Sequence, residues 1–65
     1  MKFSVNDKAK VLEPNGQIRK GDIVTITDAT ERVTVEIYQA ERKDGEWGFF
    51  TKDMLEEVEV LPNDN

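Results

Sequence analysis

The segment VTVEIYQAE, residues 33 to 41, alternates apolar and polar side chains with a period of two, and no stretch of the chain sustains a helical period. Such a pattern specifies strands, and the expected fold class is all-β. Along this strand Val33, Val35 and Ile37 share one side, while Thr34, Glu36 and Tyr38 share the other. The apolar set is expected to face the core, leaving Tyr38 on the outer face.

Two further segments alternate in the same way. KAKVLE, residues 8 to 13, reads as the first strand, and Pro14-Asn15-Gly16 opens a loop that runs to Gly21. DIVTIT, residues 22 to 27, reads as the second, with Val24 and Ile26 on one face. Residues 28 to 31 (DATE) read as a loop. Asp44-Gly45 signals a two-residue hairpin, because both residues tolerate the positive φ of a type I′ turn. That turn pairs Lys43 with Glu46, Arg42 with Trp47, Glu41 with Gly48, Ala40 with Phe49 and Gln39 with Phe50. Gly48 and Phe50 then face the core, while Trp47 and Phe49 point outward beside Ala40 and near Tyr38. Thr51 is expected to cap a single 3₁₀ turn with its hydroxyl before Leu55 re-enters the core. A short last strand places Val58 and Val60 between Glu57 and Glu59, and residues 62 to 65 form a polar tail after a single domain of residues 1 to 61.

With 65 residues and no cysteine, the chain relies on packing and backbone pairing alone. It cannot enclose a large substrate cavity. Histidine is also missing, which removes the usual base at neutral pH and, with cysteine, the commonest zinc ligands. The remaining carboxylates, lysines and tyrosine show no catalytic spacing, and no calcium-loop pattern is present. The expectation is a protein that is not an enzyme and holds no cofactor and no metal. Apolar residues never run beyond two in succession, so neither a membrane span nor a secretory segment is read, and a cytoplasmic location is expected.

The net charge is −5 with 35% charged residues, which favours a monomer. Residues 1 to 25 carry five basic and three acidic side chains, and residues 26 to 65 carry four basic and eleven acidic. Nucleic acid is a poor partner for this balance, because phosphate binding needs a basic stripe. A protein partner of basic character suits it better.

Five short strands, a long first loop, a tight distal hairpin, a 3₁₀ break and a closing strand together resemble the layout of an SH3-like barrel. KGDIVTI is similar to the second strand of those domains, and DGEWGFFTKDMLEEV to their closing segment. The likeness covers roughly residues 8 to 60 and implies a five-stranded barrel with one short 3₁₀ turn before the last strand. The simplified loops look most like the small stand-alone barrels of bacteria and their phages, the prophage YorP type among them. The chain departs from peptide-binding SH3 domains: KAKVLE lacks aromatics, the third strand opens with Val33-Thr34, and Thr51 and Met54 stand where that family has Pro and Tyr. Recognition of proline-rich peptides therefore does not carry over.

The candidate partner-binding residues are Tyr38, Trp47 and Phe49 as an outward aromatic patch, Met54 beside them, and Glu36 and Glu46 as an acidic rim. The competing reading packs Trp47 and Phe49 over the barrel end, or against Phe3 and Val5 of the N-terminal segment, as a satellite cluster. Glu46, Asp53, Glu56, Glu57 and Glu59 form an acidic strip that either guards a strand edge or mimics nucleic acid. Lys8, Lys10, Arg19 and Lys20 form the only positive cluster, either an RNA-facing loop of the kind seen in KOW and Tudor-like barrels or partners of the acidic last strand. Three functions follow: a protein-interaction module, a small acidic inhibitor, or an accessory subunit of a larger assembly.

Overall fold

The computed structural model describes residues 2 to 58. Five strands, β1 (Lys8–Val11), β2 (Ile23–Glu31), β3 (Glu36–Arg42), β4 (Trp47–Thr51) and β5 (Leu55–Glu57), form one antiparallel sheet in the order β4-β3-β2-β1-β5. The protein is all-β, and the sheet is not closed into a ring. A 3₁₀ turn, Lys52–Met54, separates β4 from β5. Among the described residues no helix is long and apolar enough to cross a membrane.

The β1 strand is shorter than expected and ends at Val11, where the chain turns away. The Val11 N–H donates to Asp22 O at 2.9 Å, and the Leu12 N–H donates to Met54 O at 2.7 Å. β2 is longer than expected. Residues 28 to 31 do not form a loop; they continue the strand through a bulge at Thr27, which lies between the pairs Ile26–Ala40 and Asp28–Gln39. The extra residue shifts the alternation by one. Val24 and Ile26 face the core before the bulge and Ala29 packs against it afterwards, so the inward residues are not two apart throughout.

The distal hairpin differs from the expected register by one residue. Glu41 pairs with Trp47, Ala40 with Gly48, Gln39 with Phe49 and Tyr38 with Phe50. The connection is three residues long rather than two. The Gly45 N–H donates to Arg42 O at 2.9 Å, and the Arg42 N–H donates to Glu46 O at 2.6 Å. Gly45 takes φ 98° and supplies the single left-handed residue that such a loop needs. A slip of one residue exchanges the two faces of a strand. Tyr38 and Ala40 therefore enter the core, and Ile37 lies on the outer face. Val33 and Val35 fall in or beside the β2–β3 turn, closed by the Arg32 N–H donating to Val35 O at 2.7 Å, and Val33 is wholly exposed. The core-face assignment of Val33, Val35 and Ile37 is thus reversed.

The core is built from Ala9, Val11, Val24, Ile26, Tyr38, Ala40, Phe50 and Leu55, joined by Phe3 and Ile18 from outside the strands. Ile18 anchors the long loop. A tight turn at Gly16-Gln17 brings Asn15 and Ile18 into reciprocal backbone bonds of 2.9 and 3.0 Å, and Ile18 is fully buried. At the other end residues 2 to 7 form a strap. The Asn6 N–H donates to Ile26 O at 2.7 Å, and the Ile26 N–H donates to Asp7 O at 2.8 Å. Phe3 inserts edge-on against Tyr38, with ring centres 5.2 Å apart. Burying such a ring contributes roughly 1.5–3 kcal/mol. Phe3 does not cover Trp47 and Phe49, and Val5 is exposed.

Thr51 has the extended backbone of an N-cap, but its side chain makes no capping hydrogen bond. β5 begins at Leu55 and ends at Glu57, with Val58 half-buried beyond it. Glu59, Val60 and the tail lie outside the described residues.

Candidate functional site

β4 sets the site. Gly48 and Phe50 point inward, so Trp47 and Phe49 must point outward, and they are 56% and 55% exposed. Their rings meet edge to face with centres 5.5 Å apart. This arrangement holds each ring in place without removing it from water. Phe49 also forms one wall of an open groove of about 340 Å³ that continues over Pro14, Ile37, Thr51 and Met54. Met54 is half-buried and packs partly on the core. The aromatic pair and the groove form one apolar strip along the outer side of β4.

Tyr38 is not part of this strip. It is fully buried, and its hydroxyl accepts the Phe3 N–H at 3.1 Å and donates to Glu36. Burial first, and the adjacent carboxylate second, raise the phenol above its ordinary range. Glu36 shares the inward side of β3 with Tyr38, away from Trp47. It accepts from the Tyr38 hydroxyl and from the Lys2 N–H at 2.9 Å, and these bonds, in that order, lower its carboxyl. Its role in the structure is to fasten the strap. Glu46 is exposed at the hairpin, adjacent to Trp47, and its N–H donates to Asp44 at 3.2 Å. Of the six expected residues, Trp47, Phe49, Met54 and Glu46 gather along β4 and its flanks, while Tyr38 and Glu36 form a separate latch.

The hairpin that carries Trp47 is braced by Arg42. The guanidinium donates to both oxygens of Asp44 at 2.9 and 2.8 Å, to Asp22 at 2.8 Å and to Gln17 O at 3.1 Å. One side chain thus ties the hairpin, the start of β2 and the long loop together. Asp44 is lowered to about 2, chiefly by Arg42 and then by the Glu46 N–H. Asp22 is lowered first by the Arg19 N–H and then by Arg42, whose own value is raised.

Asn15 is the residue that sequence reasoning missed. Its side-chain amide donates to Phe49 O on the open edge of β4. The Pro14-Asn15-Gly16 signal locates the turn, but nothing local shows that the amide reaches β4, thirty-four residues along the chain. The acidic strip is interrupted: Glu56 lies directly across from Lys10 on β1.

No family model, no curated protein and no solved structure matches the chain. The fold and surface define a small all-β protein with an apolar strip along one edge strand.

Proposed function

We propose that the chain is an SH3-like barrel that acts as a non-enzymatic protein-interaction module, docking a partner of basic character on Trp47, Phe49 and the Met54 groove. The strand order and the 3₁₀ turn before β5 support the fold assignment. The observation that carries the function is the exposure of two large aromatic rings, held edge to face beside each other on β4. Aromatic rings presented with little conformational freedom are the residue types that dominate binding energy at interfaces. Glu46 and Glu41 flank Trp47 and would speed the approach of a cationic surface, giving a salt-sensitive association rate.

The test compares capture by the wild type with capture by Trp47→Ala and Phe49→Ala. A partner retained by the wild type and lost by both variants, with melting temperatures unchanged, supports the reading. Capture that survives both substitutions removes the strip from the binding surface. Unfolding of either variant shows instead that the rings serve stability.

A further inference from the structure

The proposed surface has a second property that its side chains do not account for: it borders a strand edge with open backbone groups. Ladder bonds alternate along an antiparallel pair. The Arg42–Glu46 bond sets the phase, so Gly48 and Phe50 spend their N–H and C=O groups on β3, while those of Trp47 and Phe49 and the N–H of Thr51 point away from it, the Thr51 carbonyl serving the 3₁₀ turn. β4 is the terminal strand of the sheet, and these groups form its edge. Among the described residues only one of them is occupied by a side chain, Phe49 O, which takes the amide of Asn15. An amide N–H donating to a strand carbonyl at an edge is the bond that another strand would make there.

Resting on the reading above, we infer that the partner binds as an extended, basic segment that adds to the edge of β4 as a sixth strand, displacing Asn15 from Phe49 O. The groove beside Phe49, Thr51 and Met54 lies along the same edge and receives alternate side chains of the incoming segment. Its charge follows from the surroundings. Glu41 pairs with Trp47, and Glu13, Glu46 and Asp53 are the chain neighbours of Pro14, Trp47 and Met54, against Lys43 and Lys52, while Arg42 is already engaged by Asp22 and Asp44. A second copy of this chain, with the same negative balance, is disfavoured as the occupant.

The test uses the full chain and two synthetic probes, a short peptide of alternating lysine and valine and the same peptide methylated at every backbone nitrogen. Binding is read from Trp47 fluorescence and from amide hydrogen exchange. The unmethylated peptide should bind and slow exchange at Trp47 and Phe49, and methylation should weaken it by about tenfold or more through lost ladder bonds. Asn15→Ala, which keeps the backbone bonds of its turn, should tighten the unmethylated peptide several-fold. Equal binding of both peptides overturns strand addition while leaving the aromatic surface intact. No binding of the unmethylated peptide overturns the basic extended segment as occupant, and the capture comparison then decides the surface separately. Dimerisation of Asn15→Ala in sedimentation, without peptide, assigns the edge to a second copy and also overturns the proposal.

Discussion

Replacing Tyr38 by phenylalanine keeps the ring that packs edge-on with Phe3 and deletes a single oxygen. That oxygen accepts the Phe3 N–H at 3.1 Å and donates to Glu36. The Phe3 N–H is buried, and leaving it without an acceptor costs about 1–3 kcal/mol. Glu36 remains in contact with water after the substitution and is counted at nothing. Tyr38→Phe should therefore lose about 2 kcal/mol. In a domain of this size each kcal/mol moves the melting temperature by about 4–8 °C, giving a fall of about 8–16 °C.

The assay is thermal and urea denaturation at neutral pH followed by far-UV circular dichroism, since Trp47 is exposed and reports poorly on folding. Phe3→Ala and the double variant complete a cycle: once the strap is loosened, deleting the hydroxyl should cost little more, so the two effects should fall short of additivity. The titration gives an independent check. Tyr38 is raised in the folded protein, so its contribution is fully present below its ordinary value of 10.0 and is lost as pH climbs through the raised folded value. Tyr38→Phe should abolish that alkaline loss. A loss under about 0.5 kcal/mol, or full additivity with Phe3→Ala, refutes the latch.

Gly45→Ala should cost about 1–2 kcal/mol, because Gly45 sits at φ 98° where a Cβ is strained even though space is open, and urea unfolding reads this directly. Gly48→Ala should stay within about 0.5 kcal/mol, since its Cβ would meet Asn15 and Phe50 at ordinary contact distances of 3.5 and 3.6 Å. Asp44 and Asp22 are both depressed in the folded protein, so the stability they contribute is present above their ordinary value of 3.8 and is lost as pH falls through their folded values, about 2 for Asp44. In Arg42→Met, acid unfolding monitored by circular dichroism should lose most of the Asp44 component and part of the Asp22 component, the Arg19 and Glu46 N–H bonds retaining the rest. Ile18→Ala should cost about 2–5 kcal/mol and release the long loop, which faster amide exchange at Asn15 would record. Trp47 emission should be red-shifted and readily quenched by acrylamide; a blue-shifted, protected signal would place the indole in contacts absent among the described residues.

The all-β class, the strand count, the 3₁₀ turn and the inward direction of Val24, Ile26 and Phe50 were legible because they depend on local alternation and turn chemistry. What escaped was the phase of β3. VTVEIYQAE alternates strongly, yet its first three residues belong to a turn, and the strand proper starts at Glu36. From there on each face carries apolar members, Tyr38 and Ala40 on one side and Ile37 on the other, so hydrophobicity alone does not choose between them. The choice rests mainly on long-range terms: the Phe3 N–H that needs the Tyr38 hydroxyl as acceptor, and a bulge at Thr27 that sets how β2 meets β3. Neither is visible in a window of ten residues; the Glu36 carboxylate, two residues from Tyr38, is local. The bulge also explains why DATE resembled a loop, since inward residues three apart break the two-residue period.

The length of the distal turn settles which aromatic residues are left exposed. Asp44-Gly45 suits either a two-residue turn or the last two positions of a three-residue one, and the difference is a single left-handed residue. A two-residue turn would have set Phe49 beside Ala40 and Phe50 beside Gln39. The three-residue turn sets Phe50 against Tyr38, two large rings on one inward face, and leaves Trp47 and Phe49 facing Glu41 and Gln39 in water. The carboxylates of Asp44 and Asp22 hold the longer turn in place through Arg42. That ion network therefore bears on the proposed surface as well as on stability. Loosening it would let the hairpin shift by one residue, and that slip would turn Tyr38 out of the core and disturb the pairing around Trp47 and Phe49.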